Sequence, residues 1–182
     1  ISVQDNTSVA VKFLPGSNVS VSYQYQTYTG GQMLSLTLGQ YQAFQIRGPH
    51  THDLTGTKIS SDKPLSVFSG HYAAYLSPSD RSNWDNMLEQ LTPINTWGKY
   101  FVTLARPGRT VGDYFKFVAN ESDTRVTITG SSINETFTLS TDGNFTEKQY
   151  RSMISAPNYN NGWLITDWEV WIRGTLYFYL LF

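Results

Sequence analysis

The chain has 182 residues, enough for one domain or two small ones, and its 13 Lys+Arg against 14 Asp+Glu leave a formal net charge of only -1. That balance excludes a nucleic-acid binder, which needs a cationic footprint to neutralise phosphates. Apolar residues at 40% exclude intrinsic disorder, while charged residues at 15%, against about 25% in an average domain, leave the polar surface to Ser, Thr, Asn, Gln and Tyr, a mixture suited to a pleated sheet.

In chain order, β-type runs are expected at residues 9–14, 19–28, 33–38, 41–46, 65–71, 100–104, 114–118, 125–129, 135–139 and 144–149. They are punctuated by Pro15-Gly16, Gly30-Gly31, Gly39, Gly130 and Asp142-Gly143, residues that tolerate positive φ or preset a turn. The spacing predicts an all-β fold of two tandem antiparallel sandwich- or jelly-roll-like modules with at most one short helix. Only residues 83–91 carry a helical period: Trp84, Met87, Leu88 and Leu91 recur at i, i+3, i+4 and i+7, Asn83 offers a cap and Pro93 a stop. A helical turn is therefore expected there.

A faint repeat runs through the chain. Asp5-Asn6-Thr7-Ser8-Val9-Ala10-Val11 matches Ser122-Asp123-Thr124-Arg125-Val126-Thr127-Ile128, and Leu36-Thr37-Leu38-Gly39-Gln40-Tyr41 matches Leu139-Ser140-Thr141-Asp142-Gly143-Asn144-Phe145 with one insertion. The turn-rich stretch 106–113 separates the halves, so the modules are expected at 1–110 and 111–182, the second ending in an apolar strand.

The chain contains no cysteine, hence no disulfide, thiolate nucleophile or thiolate metal cage. Five Asn-x-Ser/Thr sequons, at Asn6, Asn18, Asn120, Asn134 and Asn144, point toward an exported, extracellular or cell-surface chain bearing N-linked glycans. Ile1 is no initiator and no charged, then apolar, leader precedes the domain, so a mature or trimmed form is expected.

Catalytic patterns are sparse. His50-x-His52-Asp53, with His71 downstream, offers two imidazoles as metal ligands, but Gly48-Pro49 makes the segment a loop and solvated histidines explain it better. Ser69-Gly70-His71 lacks a nucleophile elbow, and Asp80, Asn83, Asp85 and Glu89 lack the central glycine of a calcium loop. The expectation is a non-enzyme needing no cofactor and no metal.

The middle of the chain carries a resemblance. The run from Asp53 to His71 (Asp53-Leu54-Thr55-Gly56, Lys63-Pro64-Leu65, Ser69-Gly70-His71), then Asp85-Asn86-Met87-Leu88-Glu89-Gln90-Leu91-Thr92-Pro93, then Thr96-Trp97-Gly98-Lys99-Tyr100-Phe101, resembles the N-terminal domain family of IgG-Fc-binding protein over roughly residues 5–147. The family pattern carries a Cys just before the Asp matched by Asp85, where this chain has Trp84. The resemblance implies a non-catalytic, β-rich extracellular module, with Asp53, Gly56, Lys63, Pro64, Gly70, Asp85, Glu89, Gln90, Trp97 and Gly98 as its motif residues. Physically these read as scaffold: a polar turn entering a strand at 53–59, a φ preset by Pro64 before a buried run 65–68, a bend at Gly70, a carboxylate and carboxamide at Glu89-Gln90 buried against backbone amides, and aromatic anchors at Trp97 and Phe101.

The last stretch, 163–182, alternates Trp168, Val170 and Ile172 with Glu169, Trp171 and Arg173. It then places Leu176, Phe178, Leu180 and Phe182 on one face and Tyr177, Tyr179 and Leu181 on the other. Apolar on both sides and only eight residues long at 175–182, it is too short for a membrane helix and wants cover on both faces. Two outcomes are open: it closes a sheet of its own chain, or it is donated to the next copy, which would build a filament of identical chains. The functional expectation is a structural or adhesive extracellular fibre subunit, with a glycan- or glycoprotein-binding module of mucin or IgG-Fc type as the alternative.

Overall fold

The structure, a computed structural model, describes residues 1–48, 53–77, 80–97, 113–130 and 133–150. Among them are eleven strands, all paired antiparallel, and a single 3-10 turn at Ile94–Thr96, so the fold is all-β as expected. Two compact units divide between Leu91 and Thr92; the expected boundary at 110/111 lies outside the described residues.

Unit 1 begins with β1 (Thr7–Lys12), in which Thr7, Val9 and Val11 face inward and Ser8 and Lys12 outward. This is the period-2 signature of a half-buried strand. β1 is central, flanked by β4 (Met33–Leu38) and β5 (Lys58–Ser61), with Val9 opposite Leu36 and Ser61. Between β1 and β4 lies a hairpin of β2 (Ser20–Tyr23) and β3 (Gln26–Thr29). A single strand was expected over 19–28; instead Gln24 (φ 47°) and Tyr25 (φ 64°) turn the chain in the left-handed region. No Gly or Asn marks this turn, so the sequence hides it. The core gathers Val9, Val11, Phe13, Val19, Val21, Leu34, Leu38, Ile46 and Leu54, with Phe13 and Leu34 fully buried.

The remaining pair in unit 1 is β6 (Phe68–Ser77) with β7 (Asp80–Gln90). The helical turn expected over 83–91 is therefore wrong. Its apolar spacing belongs to an eleven-residue strand held by β6, whose register shifts between His71 and Ala74 and again between Tyr75 and Ser77. Bulges displace the alternation, and a non-local ladder overrides weak local periodicity.

Unit 2 contains β8 (Asp113–Val118), β9 (Thr124–Thr129), β10 (Asn134–Leu139) and β11 (Phe145–Tyr150), paired as β9·β10 and β8·β11. Its core joins Phe115, Phe117, Ala119, Ile128 and Leu139, and the rings of Phe117 and Phe137 meet edge-on at 5.3 Å.

The two units share a substructure. Asn6 (φ 51°) and Asp123 (φ 55°) each sit in the left-handed region just before a Thr whose hydroxyl donates to the carbonyl three residues back: Thr7 to Gln4 O at 2.8 Å and Thr124 to Glu121 O at 2.7 Å. Thr7 then opposes Leu38, and Thr124 opposes Leu139. The correspondence continues in the backbone. Ser2 N donates to Gln42 O (3.0 Å) and Tyr41 N to Ser2 O (2.9 Å); in unit 2 Ala119 N donates to Asn144 O (3.0 Å) and Gly143 N to Ala119 O (2.8 Å). Both are bulges in which two residues face one and the first is left-handed: Tyr41 at φ 60° and Gly143 at φ 79°. The second half of the sequence repeat is thereby corrected: Leu38, not Leu36, corresponds to Leu139. A slip of two residues keeps every side chain on its face, so sequence alternation alone does not fix the phase.

Candidate functional site

The outward face of the β4·β1·β5 sheet is built by alternation and register. Residues whose neighbours point into the core lie in three rows across the strands: Thr37, Ser8 and Asp62; Ser35, Ala10 and Ser60; Met33, Lys12 and Lys58. The first two rows line a shallow depression of about 490 Å³. Its surface is hydroxyl-rich, and a hydroxyl both donates and accepts. At one end the Asp62 carboxylate accepts from Ser8 N at 2.8 Å; at the other Lys12 and Lys58 stand directly opposite each other beside the exposed Met33. Among the described residues no aromatic ring lines the depression. Sequence reasoning missed these residues, although the Ser/Thr-apolar alternation of 33–38 carried the signal.

The motif residues surround this sheet or stand apart from it. Asp53 Oδ1 accepts from Thr55 N at 2.8 Å and from the Thr55 hydroxyl, and Gly56 (φ 82°) completes the turn that feeds β5. Here glycine is required: a Cβ is strained at that φ. Lys63 Nζ donates to Asp5 O (2.6 Å) and Asn6 O (3.1 Å), clamping the left-handed turn ahead of β1. Pro64 precedes Leu65, which bridges Ser2, but the run 65–68 is only half-buried and Phe68 is exposed, contrary to expectation. Gly70 is buried in β6 opposite Leu88. Asp85 lies on β7 opposite Ala74. Glu89 and Gln90 are on the same strand rather than in a loop, and Gln90 is exposed. The expected burial of Gln90 is corrected by strand alternation, while Glu89 is half-buried. Trp97 is half-buried, with an indole N–H that finds no hydrogen-bond partner among the described residues. Gly98, Phe101, His50, His52 and the whole candidate assembly strand, Trp168 through Phe182, lie outside the described residues.

In unit 2 charged groups brace the hairpins. Lys148 and the Tyr150 hydroxyl both bond the Glu135 carboxylate, holding its pKa below the ordinary value. Burial, then the bond to Glu135, pushes the Tyr150 phenol well above its usual range. The buried Lys116 ammonium meets Glu147 at 2.9 Å and lies 4.7 Å from the centre of the Phe145 ring. Among the sequons, Asn6, Asn18 and Asn134 are exposed, while Asn144 is half-buried and accepts from Phe145 N at 2.8 Å. Among the described residues no group of three His, Asp or Glu side chains is arranged to hold a metal.

Comparison with known proteins decides the family. The model of the family described as IgGFc binding protein matches residues 1–161. The chain belongs to that family. The human IgGFc-binding protein is 33% identical over 92 residues, which make up 50% of this chain and 2% of the human protein. The match covers a small part of that much longer relative. No solved structure matches the chain. Asp53, Gly56 and Lys63 thus hold the turns beside a sheet whose outward face is small, polar and open.

Proposed function

We propose that this chain is a non-catalytic, extracellular binding module that docks a glycoprotein of the IgG-Fc kind through the outward face of β4·β1·β5. The observation that carries the reading is the flat grid of Ser8, Ser35, Thr37, Ser60 and Asp62, ending in Lys12 and Lys58, in a chain whose family is named for binding. Short hydroxyl side chains lose little conformational entropy on contact and adapt as donor or acceptor, so such a face suits a protein surface. The described lining is hydroxyl-bearing and aliphatic, with none of the rings on which sugars stack. Export is supported by the five sequons, and no helix among the described residues is long and apolar enough to cross a membrane.

Surface plasmon resonance over immobilised Fc tests this reading. Binding should be lost in Ala10→Arg, which plants a long charged side chain at the centre of the grid. No binding by the native chain, or binding that Ala10→Arg leaves unchanged, refutes it. Assembly of copies into fibres through residues 163–182 is the second reading, favoured by the two-sided apolar pattern of that stretch. Filaments in solution would support it; a discrete monomer would not.

A further inference from the structure

The duplicated hairpin gives unit 2 its own version of the outward face. With Thr124 matched to Thr7 and Leu139 to Leu38, β9·β10 presents three outward rows, Arg125 with Thr138, Thr127 with Thr136 and Thr129 with Asn134, which correspond row for row to the grid on β1·β4. The middle row is again small and polar, the Thr127 and Thr136 hydroxyls meeting at 3.2 Å. The end row differs. Where unit 1 has Met33, unit 2 has Asn134, which opens the sequon Asn134-Glu135-Thr136.

The local structure sets that asparagine outward. Asn134 begins β10, just past the turn in which Gly130 N donates to Ile133 O at 2.7 Å. Lys148 and the Tyr150 hydroxyl hold the Glu135 carboxylate on the inward side, so alternation turns Asn134 and Thr136 to the outside, and both are exposed. The Asn134 side chain has no hydrogen-bond partner among the described residues. Asn144 is the contrast: it is half-buried, its Oδ1 accepts from Phe145 N at 2.8 Å and its Nδ2 donates to the Ser140 hydroxyl at 3.3 Å, so its amide is engaged in the bulge. An N-linked glycan is bonded to the amide nitrogen, and a free, exposed amide takes it without breaking a contact of the fold.

We propose that Asn134 carries an N-linked glycan that lies over the outward face of β9·β10 and closes it. Two residues along a strand advance about 7 Å, so the Thr127 row lies about 7 Å from Asn134 and the Arg125 row about 14 Å. A bulky glycan tethered at one end of so short a face sweeps all of it. The chemistry matches as well: threonine hydroxyls donate and accept, as sugar hydroxyls do, and the Arg125 guanidinium adds donors. Unit 1 has no acceptor asparagine at the matching position, so this closure belongs to unit 2's copy of the face. The inference stands apart from the docking reading above, since occupancy and cover are both measured with no partner present.

The absence of cysteine makes a clean test, because one introduced thiol reports on one position. In the full chain secreted from a eukaryotic cell, glycopeptide mass spectrometry should find Asn134 modified. Thr127→Cys, at the centre of the face, is then labelled with a bulky maleimide. A glycan that leaves the face open about one-tenth of the time slows labelling about ten-fold, and Asn134→Gln should restore the rate. Ser35→Cys, the counterpart of Thr136 in unit 1, should label at the same rate with and without Asn134→Gln. If Thr127→Cys or Asn134→Gln is not secreted, Arg125→Cys replaces the first and removal of the glycan from the folded chain by N-glycosidase replaces the second. An unmodified Asn134 overturns the proposal. So does a modified Asn134 whose loss leaves labelling of Thr127→Cys unchanged, since the glycan then projects away from the face, and so does a rise at Ser35→Cys equal to that at Thr127→Cys, since the change is then a general loosening of the chain.

Discussion

Tyr41 is the most direct place to test the duplicated architecture. It occupies the left-handed bulge position that unit 2 gives to Gly143, and the residue is 74% exposed. A side chain in the left-handed region costs about 1–2 kcal/mol, while a glycine loses about 0.5–1 kcal/mol more chain entropy on folding. Little burial is forfeited by removing an exposed ring, so the difference makes Tyr41→Gly stabilising by about 0.5–1 kcal/mol. The backbone bonds Tyr41 N to Ser2 O and Gln42 N to Gly39 O, which define the bulge, are untouched. In urea unfolding followed through unit 1, the midpoint should rise by about 0.3 M for a slope near 2 kcal/mol/M, with the slope unchanged. The converse change, Gly143→Ala, places a Cβ at φ 79° and should destabilise unit 2 by about 1 kcal/mol or more. A lower midpoint for Tyr41→Gly would refute the argument, because the ring would then be making contacts that outweigh its backbone strain.

Leu34→Ala removes a fully buried side chain from the centre of unit 1 and should cost about 2–5 kcal/mol in the same unfolding assay. Lys63→Met deletes the ammonium that bonds Asp5 O and Asn6 O and should cost about 1 kcal/mol, with faster amide exchange in the turn before β1. Because Lys148 and Tyr150 lower the Glu135 pKa below its ordinary 4.5, that carboxylate stabilises unit 2 above about that pH, and the contribution is lost as the pH falls further; Glu135→Gln should flatten the acid limb of a thermal-melting profile taken against pH. When the chain is secreted from a eukaryotic cell, N-glycosidase treatment should lower its mass, with the exposed Asn6, Asn18 and Asn134 the sites expected to account for the change.

Local residue patterns specify the fold class and much of the strand order. Alternation of Val9 and Val11 with Ser8 and Lys12, and the run 33–38, located β1 and β4, and the strands of unit 2 came within a residue or two of β8 to β11. These signals are local: a half-buried strand writes its two faces into consecutive residues. The Asp53 turn was legible for the same reason, since an Asx turn closes over two residues. The motif blocks between Asp53 and Phe101 also pointed to the family without any geometry.

Tertiary structure decided the rest. Residues 83–90 became strand because β6, the strand just before, supplies ladder bonds from partners as far as Phe68 opposite Gln90, beyond any short window. The Gln24-Tyr25 turn is imposed by the pairing of β2 with β3 against the preference of both residues. The phase of the internal repeat was settled only by the bulges at Tyr41 and Gly143, because two-residue slips are invisible to alternation. Likewise, Ser8, Ser35 and Ser60 are ordinary polar residues in sequence; register across three strands, set by contacts up to fifty residues apart, is what places them on one surface.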